Sequence, residues 1–110
     1  MTARKLHNPH ADLMSVLTPT QFRVTILVGA GLKNSEIGEV IGTTQGVVKN
    51  FLREIFARAN ISNRVQLALR YTHELETGMY NRDRLESEFG TLQPYVQRAL
   101  HSEISPDTTY

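Results

Sequence analysis

The chain has 110 residues, a formal net charge of +1 at pH 7 and no cysteine. This length suits one small domain, and the lack of cysteine excludes disulfide bonds, zinc–cysteine sites and thiol nucleophiles. No apolar run approaches the roughly 20 residues of a membrane-spanning helix, and the N-terminus lacks the apolar core of a signal peptide. We therefore expect a soluble, cytoplasmic protein.

Helix signals begin near the N-terminus. Residues 1–16 form a lead-in that is either flexible or contains a short helix over residues 12–16. Thr18 and Pro19 then predict a helix that ends at about Gly29, because threonine caps helices and proline is tolerated at the first helical position. No alternating strand pattern occurs in the sequence, so the predicted fold class is all-α.

The centre of the chain predicts two helices joined by a tight turn. Asn34 is expected to cap the first helix and Gly42 to end it. Thr43 or Thr44 is expected to cap the second helix, whose apolar residues recur at three- and four-residue spacing over about 15 residues. Two helices joined by a glycine-containing turn, the second of them basic, fit the physical description of a DNA-reading helix-turn-helix.

Further helices are predicted after this unit. Ser62 or Asn63 is expected to cap a helix that ends near Gly78. Beyond it, one pattern from Asn81 and another after Pro94 predict one or two C-terminal helices, since this segment carries more apolar side chains than a disordered tail needs. We expect these helices to cover the preceding helix or to extend a dimer; packing on their own subunit alone is the alternative.

Charge is distributed unevenly along the chain. Residues 41–73 contain five basic residues and one acidic residue, a balance of +4, whereas residues 78–110 have a balance of −2. The near-neutral total therefore hides a local basic footprint of the kind that binds nucleic acid.

Signals for catalysis are absent from the sequence. The four histidines have no metal-ligand spacing beyond a weak pair at His7 and His10, and no P-loop, nucleophile elbow or paired-carboxylate site is found. We therefore expect no enzyme, no catalytic residue, no metal site and no cofactor. The apolar residues at helical spacing are predicted to form a core rather than a ligand pocket: Phe22, Val24, Val28, Ile37, Ile41, Val48, Phe51, Leu52 and Ile55.

Residues 17–69 contain the phrases LTPTQ and GLKNSEIGEVIG, and with them this stretch resembles the LuxR-type (GerE-like) helix-turn-helix family. The first phrase looks like the family's LTPRE, and the second matches GLSNKEIAERLG nearly position for position. The stretch TTQGVVKNFLREIFARANISNR is similar to the family's S-x-x-TVK-x-H-x-x-x-I-x-x-KL pattern with its terminal arginine. Gln21 and Ala59 depart from the usual glutamate and leucine. Val47 and Phe51 replace a threonine and a histidine, changes that favour burial and should leave the fold intact.

Candidate base contacts lie on the predicted recognition helix, residues 44–58. Lys49, Asn50 and Arg53 fall at i, i+1 and i+4 and so share one side of the helix. Arginine and lysine donate to guanine O6 and N7, and asparagine can pair with adenine. The resemblance implies the same three positions, through which the family commonly reads bases in the major groove. The alternative is that Lys49 and Arg53 are solvated surface charges.

Candidate contacts to the DNA backbone flank these residues. Thr44 and Gln45 stand at a helix N-terminus, where side chains and free N–H groups can reach phosphates. Gly46 lacks a side chain and would allow close approach. Arg58 and Arg64 match basic positions of the family that imply backbone contacts, and structural packing against helix ends is the alternative for both.

The resemblance also implies a homodimer, because one helix in one groove gives too few contacts for tight binding. In the family, the helix that here follows Asn63 commonly forms that contact. The candidate interface residues on it are Leu69, Tyr71, Thr72 and Leu75.

Three segments are therefore predicted. Residues 1–16 form the lead-in, residues 17–77 the LuxR-type domain, and residues 78–110 a helical extension with dimerisation or regulation as its candidate roles. The lead-in is too short for the receiver or ligand-binding domain that many family members carry, so a stand-alone regulator is expected.

The predicted function is a bacterial transcription regulator that binds promoter DNA as a dimer and lies on the nucleoid when bound. RNA polymerase or a regulatory protein is expected as a further partner. The alternative is a protein-interaction module of sigma-factor-like or anti-regulator type, which keeps the fold but binds a protein partner.

Overall fold

The computed structural model describes residues 11–102, and that part of the chain is helical without a strand. Its helices are α1 (Leu13–Val16), α2 (Pro19–Gly29), α3 (Asn34–Ile41), α4 (Gln45–Ala59), α5 (Arg64–Glu76), α6 (Arg82–Phe89) and α7 (Gln93–Ser102), with a 3₁₀ turn (Gly90–Leu92) between α6 and α7. The all-α prediction is confirmed, and α1 is the short helix considered for residues 12–16. None of these helices has the length and apolar character needed to cross a membrane. His7 and His10 lie outside the described residues.

Helix α2 begins with a reciprocal cap. The Thr18 hydroxyl accepts from the Gln21 backbone N–H at 3.2 Å, and the Gln21 side-chain oxygen Oε1 accepts from the Thr18 N–H at 3.0 Å. Gln21 thus makes the contact that a glutamate makes in a capping box. Its amide nitrogen also donates to Glu54 at 3.3 Å, which a glutamate could not do. The glutamine that stands here in place of the family's usual glutamate therefore links the start of α2 to α4.

The helix-turn-helix turn is built around two glycines. Gly42 ends α3 in the left-handed conformation, with φ of 81°, which glycine adopts at little cost. At Gly38, a β-carbon would lie 2.7 Å from the Thr43 carbonyl oxygen, so only a residue without a side chain lets the turn approach α3 this closely. The Thr44 hydroxyl then accepts from the Val47 N–H at 3.3 Å and opens α4 as predicted.

The cap predicted for α3 is wrong by one residue. Lys33 is the N-cap, and its N–H donates to the Glu36 carboxylate at 2.7 Å. Asn34 is the first helical residue, and its side-chain oxygen accepts from Arg64 at 2.6 Å instead. A tertiary contact thus takes the group that local chemistry would have used as a cap. For α5, the choice between two caps falls on Asn63, which accepts from the Gln66 N–H at 3.0 Å.

The centre of the core is a group of aromatic rings. The Phe22 ring lies edge-on to Tyr80 and Phe89, with centroids 5.1 and 5.0 Å apart, and 6.0 Å from the Tyr71 centroid. Phe89 belongs to α6 and Tyr80 to the loop before it, so the C-terminal extension completes the same core as α2 and α5. Helix α7 also packs against α2 and α5, through side chains that include the buried Val96 and Ala99.

The predicted core is confirmed except at its edge. Seven of the nine predicted residues are buried, whereas Ile41 and Phe51 are half-buried. Val47 is 39% exposed, so the expectation that its side chain would be buried is wrong. It precedes Val48, which faces the core, and successive helical side chains point about 100° apart. Val47 therefore points away from the core.

Tyr71 is a third correction, because a fully buried side chain cannot be a dimer-interface residue. Its side chain is fully buried, and its ring packs so closely on α2 that a β-carbon at Gly29 would lie 2.4 Å from it. Burial raises the pKa of the Tyr71 phenol above its usual range. Tyr71 is a core residue that joins α5 to α2.

Candidate nucleic-acid interface

Helix α4 has one buried side and one exposed side. The buried side consists of Val48, Leu52, Ile55 and Ala59. The middle of the opposite side is a stripe of exposed residues at three- and four-residue spacing, Gly46, Asn50, Arg53 and Ala57. The two ends of this stripe are small residues, so Asn50 and Arg53 project farthest from it. The exposed side of α4 can therefore enter a groove, and the side chains of Asn50 and Arg53 would reach deepest into it.

The three predicted base-contact residues lie together on this side. Lys49, Asn50 and Arg53 are all exposed. Arg53 Nη1 donates to Asn50 Oδ1 at 3.0 Å, so these two side chains form one polar unit. Lys49 makes no hydrogen bond or ion pair with another described residue, and its ammonium group faces solvent. Contact of these residues with bases stays a prediction.

The start of α4 offers unpaired donors. The first N–H groups of any α-helix have no acceptor within the helix, and they carry the positive end of its dipole. Thr44 uses its hydroxyl to cap Val47, whereas Gln45 and Gly46 are exposed in the first turn. The N–H groups of these two residues are therefore available to an anion, and the lack of a side chain at Gly46 keeps the approach open.

The two predicted backbone-contact arginines differ in environment. Arg58 is exposed and uses one nitrogen, Nε, to donate to the Val16 carbonyl at 3.2 Å. Arg64 is half-buried and donates to both the Asn34 side chain and the Leu32 carbonyl. Burial lowers the pKa of the Arg64 guanidinium. Arg64 thus fixes α5 against α3 and the loop before it, and this favours the structural interpretation for Arg64 over a phosphate contact.

A third arginine, Arg70, belongs to a polar network that the sequence did not reveal. Its Nε donates to the Glu74 carboxylate at 2.9 Å, and its Nη1 and Nη2 donate to the Ala59 and Ala11 carbonyls at 3.1 and 2.9 Å. Glu74 is 4% exposed and also accepts from the Leu13 N–H at 2.8 Å. The network fastens the C-terminal end of α4 to α5 and to the segment that begins α1.

Arg70 therefore helps to hold α4 in place through its C-terminal end. The only sequence signal for this role is the spacing of Arg70 and Glu74, which form an i, i+4 pair on one side of α5. The guanidinium groups of Arg64 and Arg70 donate to acceptors within the fold. The basic surface of this region therefore comes from Lys49, Arg53 and Arg58 on α4.

The candidate dimer surface on α5 differs from the prediction by the loss of one residue and the addition of another. Leu69 is 66% exposed, Thr72 and Leu75 are half-buried, and Tyr71 is excluded by its burial. Val65, which is not among the predicted interface residues, is also 66% exposed. Val65 and Leu69 are four residues apart and form one apolar ridge on the outer side of α5.

The chain is similar over 62 residues, with 36% identity, to the two-component response regulator PprB of Pseudomonas aeruginosa. The matched stretch is 56% of this chain and 22% of the relative, so the chain corresponds to less than a quarter of that protein. No family model and no solved structure matches the chain. The likeness is thus to part of a regulator.

Proposed function

We propose that this protein is a transcription regulator that binds double-stranded DNA as a homodimer, with α4 in the major groove. The observation that carries the proposal is the exposed side of α4, where Lys49, Asn50 and Arg53 project beyond a glycine-built turn. The partial likeness to a response regulator supports a regulatory role.

The dimensions and shape of α4 suit this role. Its 15 residues span about 22 Å, and the major groove of B-DNA is about 12 Å wide and admits one α-helix. The small residues Gly46 and Ala57 bring the helix axis near the base edges. The Arg70 network holds the C-terminal end of α4 and the Gln21–Glu54 bond holds it near its middle, so the helix can enter the groove as a rigid rod.

Phosphate contacts would flank the base contacts. The N–H groups of Gln45 and Gly46 lie at the positive end of the α4 dipole, where anions are stabilised. Arg58 lies near the other end of α4 and keeps its terminal nitrogens free of the bond to Val16. Contacts of this kind fix the register of a helix on the duplex without reading its sequence.

The ridge of Val65 and Leu69 supports a dimer through α5. Two apolar side chains that are each 66% exposed and one helical turn apart favour association with an equivalent ridge of a second copy. A symmetric dimer would present two copies of α4 to two half-sites, which supplies the contacts that one helix lacks.

The test measures binding of the full chain to a fluorescent random-sequence duplex at increasing salt. Because neutralised phosphates release counterions, affinity should fall steeply as salt rises. The variants Lys49→Ala and Arg53→Ala should each weaken binding to a selected site by about 1–3 kcal/mol. Ser87→Ala, on the exposed side of α6, is the matched control and should bind as the parent does. Equal binding by parent and both α4 variants would refute this interface.

A protein partner is the second candidate function, and a surface groove favours it. The groove has a volume of about 410 Å³ and lies between α2, the α3–α4 turn and the 3₁₀ turn of the extension. Val40 and Val47 line it and are 37% and 39% exposed. If no duplex binds, Val47→Asp becomes the informative variant, since it should abolish capture of a protein partner without unfolding the chain.

A further inference from the structure

Asn50 and Arg53 are joined by a hydrogen bond whose direction is fixed by chemistry. Arg53 Nη1 lies 3.0 Å from the Asn50 side chain. A guanidinium can only donate, so the Asn50 atom that faces it must be the amide oxygen and not the amide nitrogen. The Asn50 NH₂ group is therefore turned away from Arg53, and the exposed unit presents donors.

This bond changes what Asn50 can recognise. Asparagine reads adenine by accepting from N6 with its oxygen while donating to N7 with its nitrogen. Here the oxygen is already engaged by a cationic donor. The oxygen keeps a second lone pair, but an adenine amino group bound there would place its positively polarised hydrogens beside the cationic guanidinium. The NH₂ group, in contrast, is free to donate to a base whose acceptor has no amino group beside it, which guanine and thymine provide and adenine does not.

The same bond prepares Arg53 for one kind of base. With Nη1 held by Asn50, the edge formed by Nε and Nη2 remains free. That edge carries two parallel N–H groups, which match the O6 and N7 acceptors of guanine. Because the side chain is already oriented, less rotamer freedom is lost on binding than for a free arginine.

We propose that Asn50 and Arg53 read two neighbouring base pairs as one donor unit, with Arg53 selecting guanine and Asn50 selecting guanine or thymine. The inference rests on the proposed DNA-binding function and specifies its target: a step of two bases whose major-groove edges carry carbonyl oxygens. It replaces the adenine contact expected from asparagine alone. Asn50 thus has two roles, as a base contact and as the positioning residue of Arg53.

The experiment is selection of duplexes from a random library by the full chain, followed by sequencing. The parent should enrich guanine at one position and guanine or thymine at its neighbour. Asn50→Ala removes both the amide donor and the acceptor that holds Arg53, so preference should fall at both positions, roughly tenfold at each. Ser87→Ala, which lies far from α4 in sequence on an exposed side of α6, should select the parent motif.

Asn50→Asp separates the two roles. The carboxylate still accepts from Arg53, so guanine should remain selected at the Arg53 position. It has no donor, so the neighbouring position should change to a base with an amino group, cytosine or adenine. Overall affinity should fall because the added negative charge faces DNA. A merely structural role for Asn50 would not produce this change of base at one position only.

Three results would overturn the inference while leaving the DNA-binding proposal intact. The first is enrichment of adenine by the parent at the position that depends on Asn50. The second is an unchanged guanine preference at the Arg53 position in Asn50→Ala. The third is salt-dependent binding of the random duplex with no enriched motif. Absence of binding to any duplex would refute the proposed function as well as the inference.

Discussion

Two arginine pairs in this molecule have similar spacing and different environments. Arg53 binds Asn50, three residues before it, on the exposed side of α4, whereas Arg70 binds Glu74, four residues after it, where the carboxylate is 4% exposed. The exposed pair leaves an edge of the guanidinium free for a partner. The buried pair directs every nitrogen of Arg70 at an acceptor within the fold. Burial thus decides whether an arginine keeps donors free for a partner or uses all of them within the fold.

The largest expected effect is at the buried pair. Glu74→Ala should lower the free energy of unfolding by about 3 kcal/mol, because it leaves the Arg70 charge and the Leu13 N–H without their partner. Urea denaturation measures the change. Glu88→Ala is the matched control, since Glu88 also pairs with an arginine four residues away at 2.9 Å but lies on the exposed side of α6. Equal effects of the two substitutions would contradict the role of burial.

The next effect tests the packing between α2 and α5. Gly29→Ala would place a β-carbon 2.4 Å from the Tyr71 ring, which is held in the core and cannot move aside. We expect a loss of about 2 kcal/mol in the free energy of unfolding from overpacking. Gly90→Ala is the control, because a β-carbon there meets nothing within 4 Å and its φ of −61° suits alanine. Stability equal to the parent in Gly29→Ala would mean that the ring has room to move.

Alkaline pH provides a third test of the core. Burial raises the pKa of both Tyr71 and Tyr80 well above 10, and the charge of Glu74 adds to the shift at Tyr80. The unfolded chain loses these protons as pH rises through about 10 while the folded chain retains them, so the stabilisation is complete below that pH and is lost above it.

One pH unit above 10, the loss should be about 1 kcal/mol for each tyrosine. Thermal unfolding followed between neutral and alkaline pH measures it, with tyrosinate absorbance reporting ionisation. Tyr80→Phe cannot ionise at that position and should show a smaller loss. If the absorbance shows that all four tyrosines of the folded protein ionise near pH 10, the phenols of Tyr71 and Tyr80 are not shielded.

The smallest expected effect on stability is at the exposed pair. Arg53→Ala should change the free energy of unfolding by less than about 0.5 kcal/mol, because it removes only an exposed hydrogen bond. The same variant is expected to weaken DNA binding, so stability and binding separate at this residue. Arg70→Ala is the counterpart, and its main effect should be a lower free energy of unfolding rather than a loss of contacts to DNA. A marked fall in the free energy of unfolding of Arg53→Ala would contradict the distinction between the exposed and the buried arginine pair.

The helices and most of their starts were predictable from the sequence because the interactions that define them are local. Thr18, Thr44, Asn63 and Asn81 each cap the helix that follows, and in each case the side-chain oxygen accepts from an N–H three residues ahead. The buried side of α4 follows from helical spacing, and so does the exposed side with Lys49, Asn50 and Arg53. These features depend on neighbours within about one helical turn.

Tertiary structure decided where the other polar and aromatic side chains lie and which groups they contact. Arg64 and Asn34 are 30 residues apart in sequence, Arg70 and Ala11 are 59 apart, and no local rule connects them. Tyr71 has the polarity of a surface residue, yet it fills the space that Gly29 leaves on α2. The sequence by itself determined which segments are helical and which side of α4 is basic. Only packing decided which arginines remain free to bind a partner, because desolvation and distant acceptors arise when the helices come together.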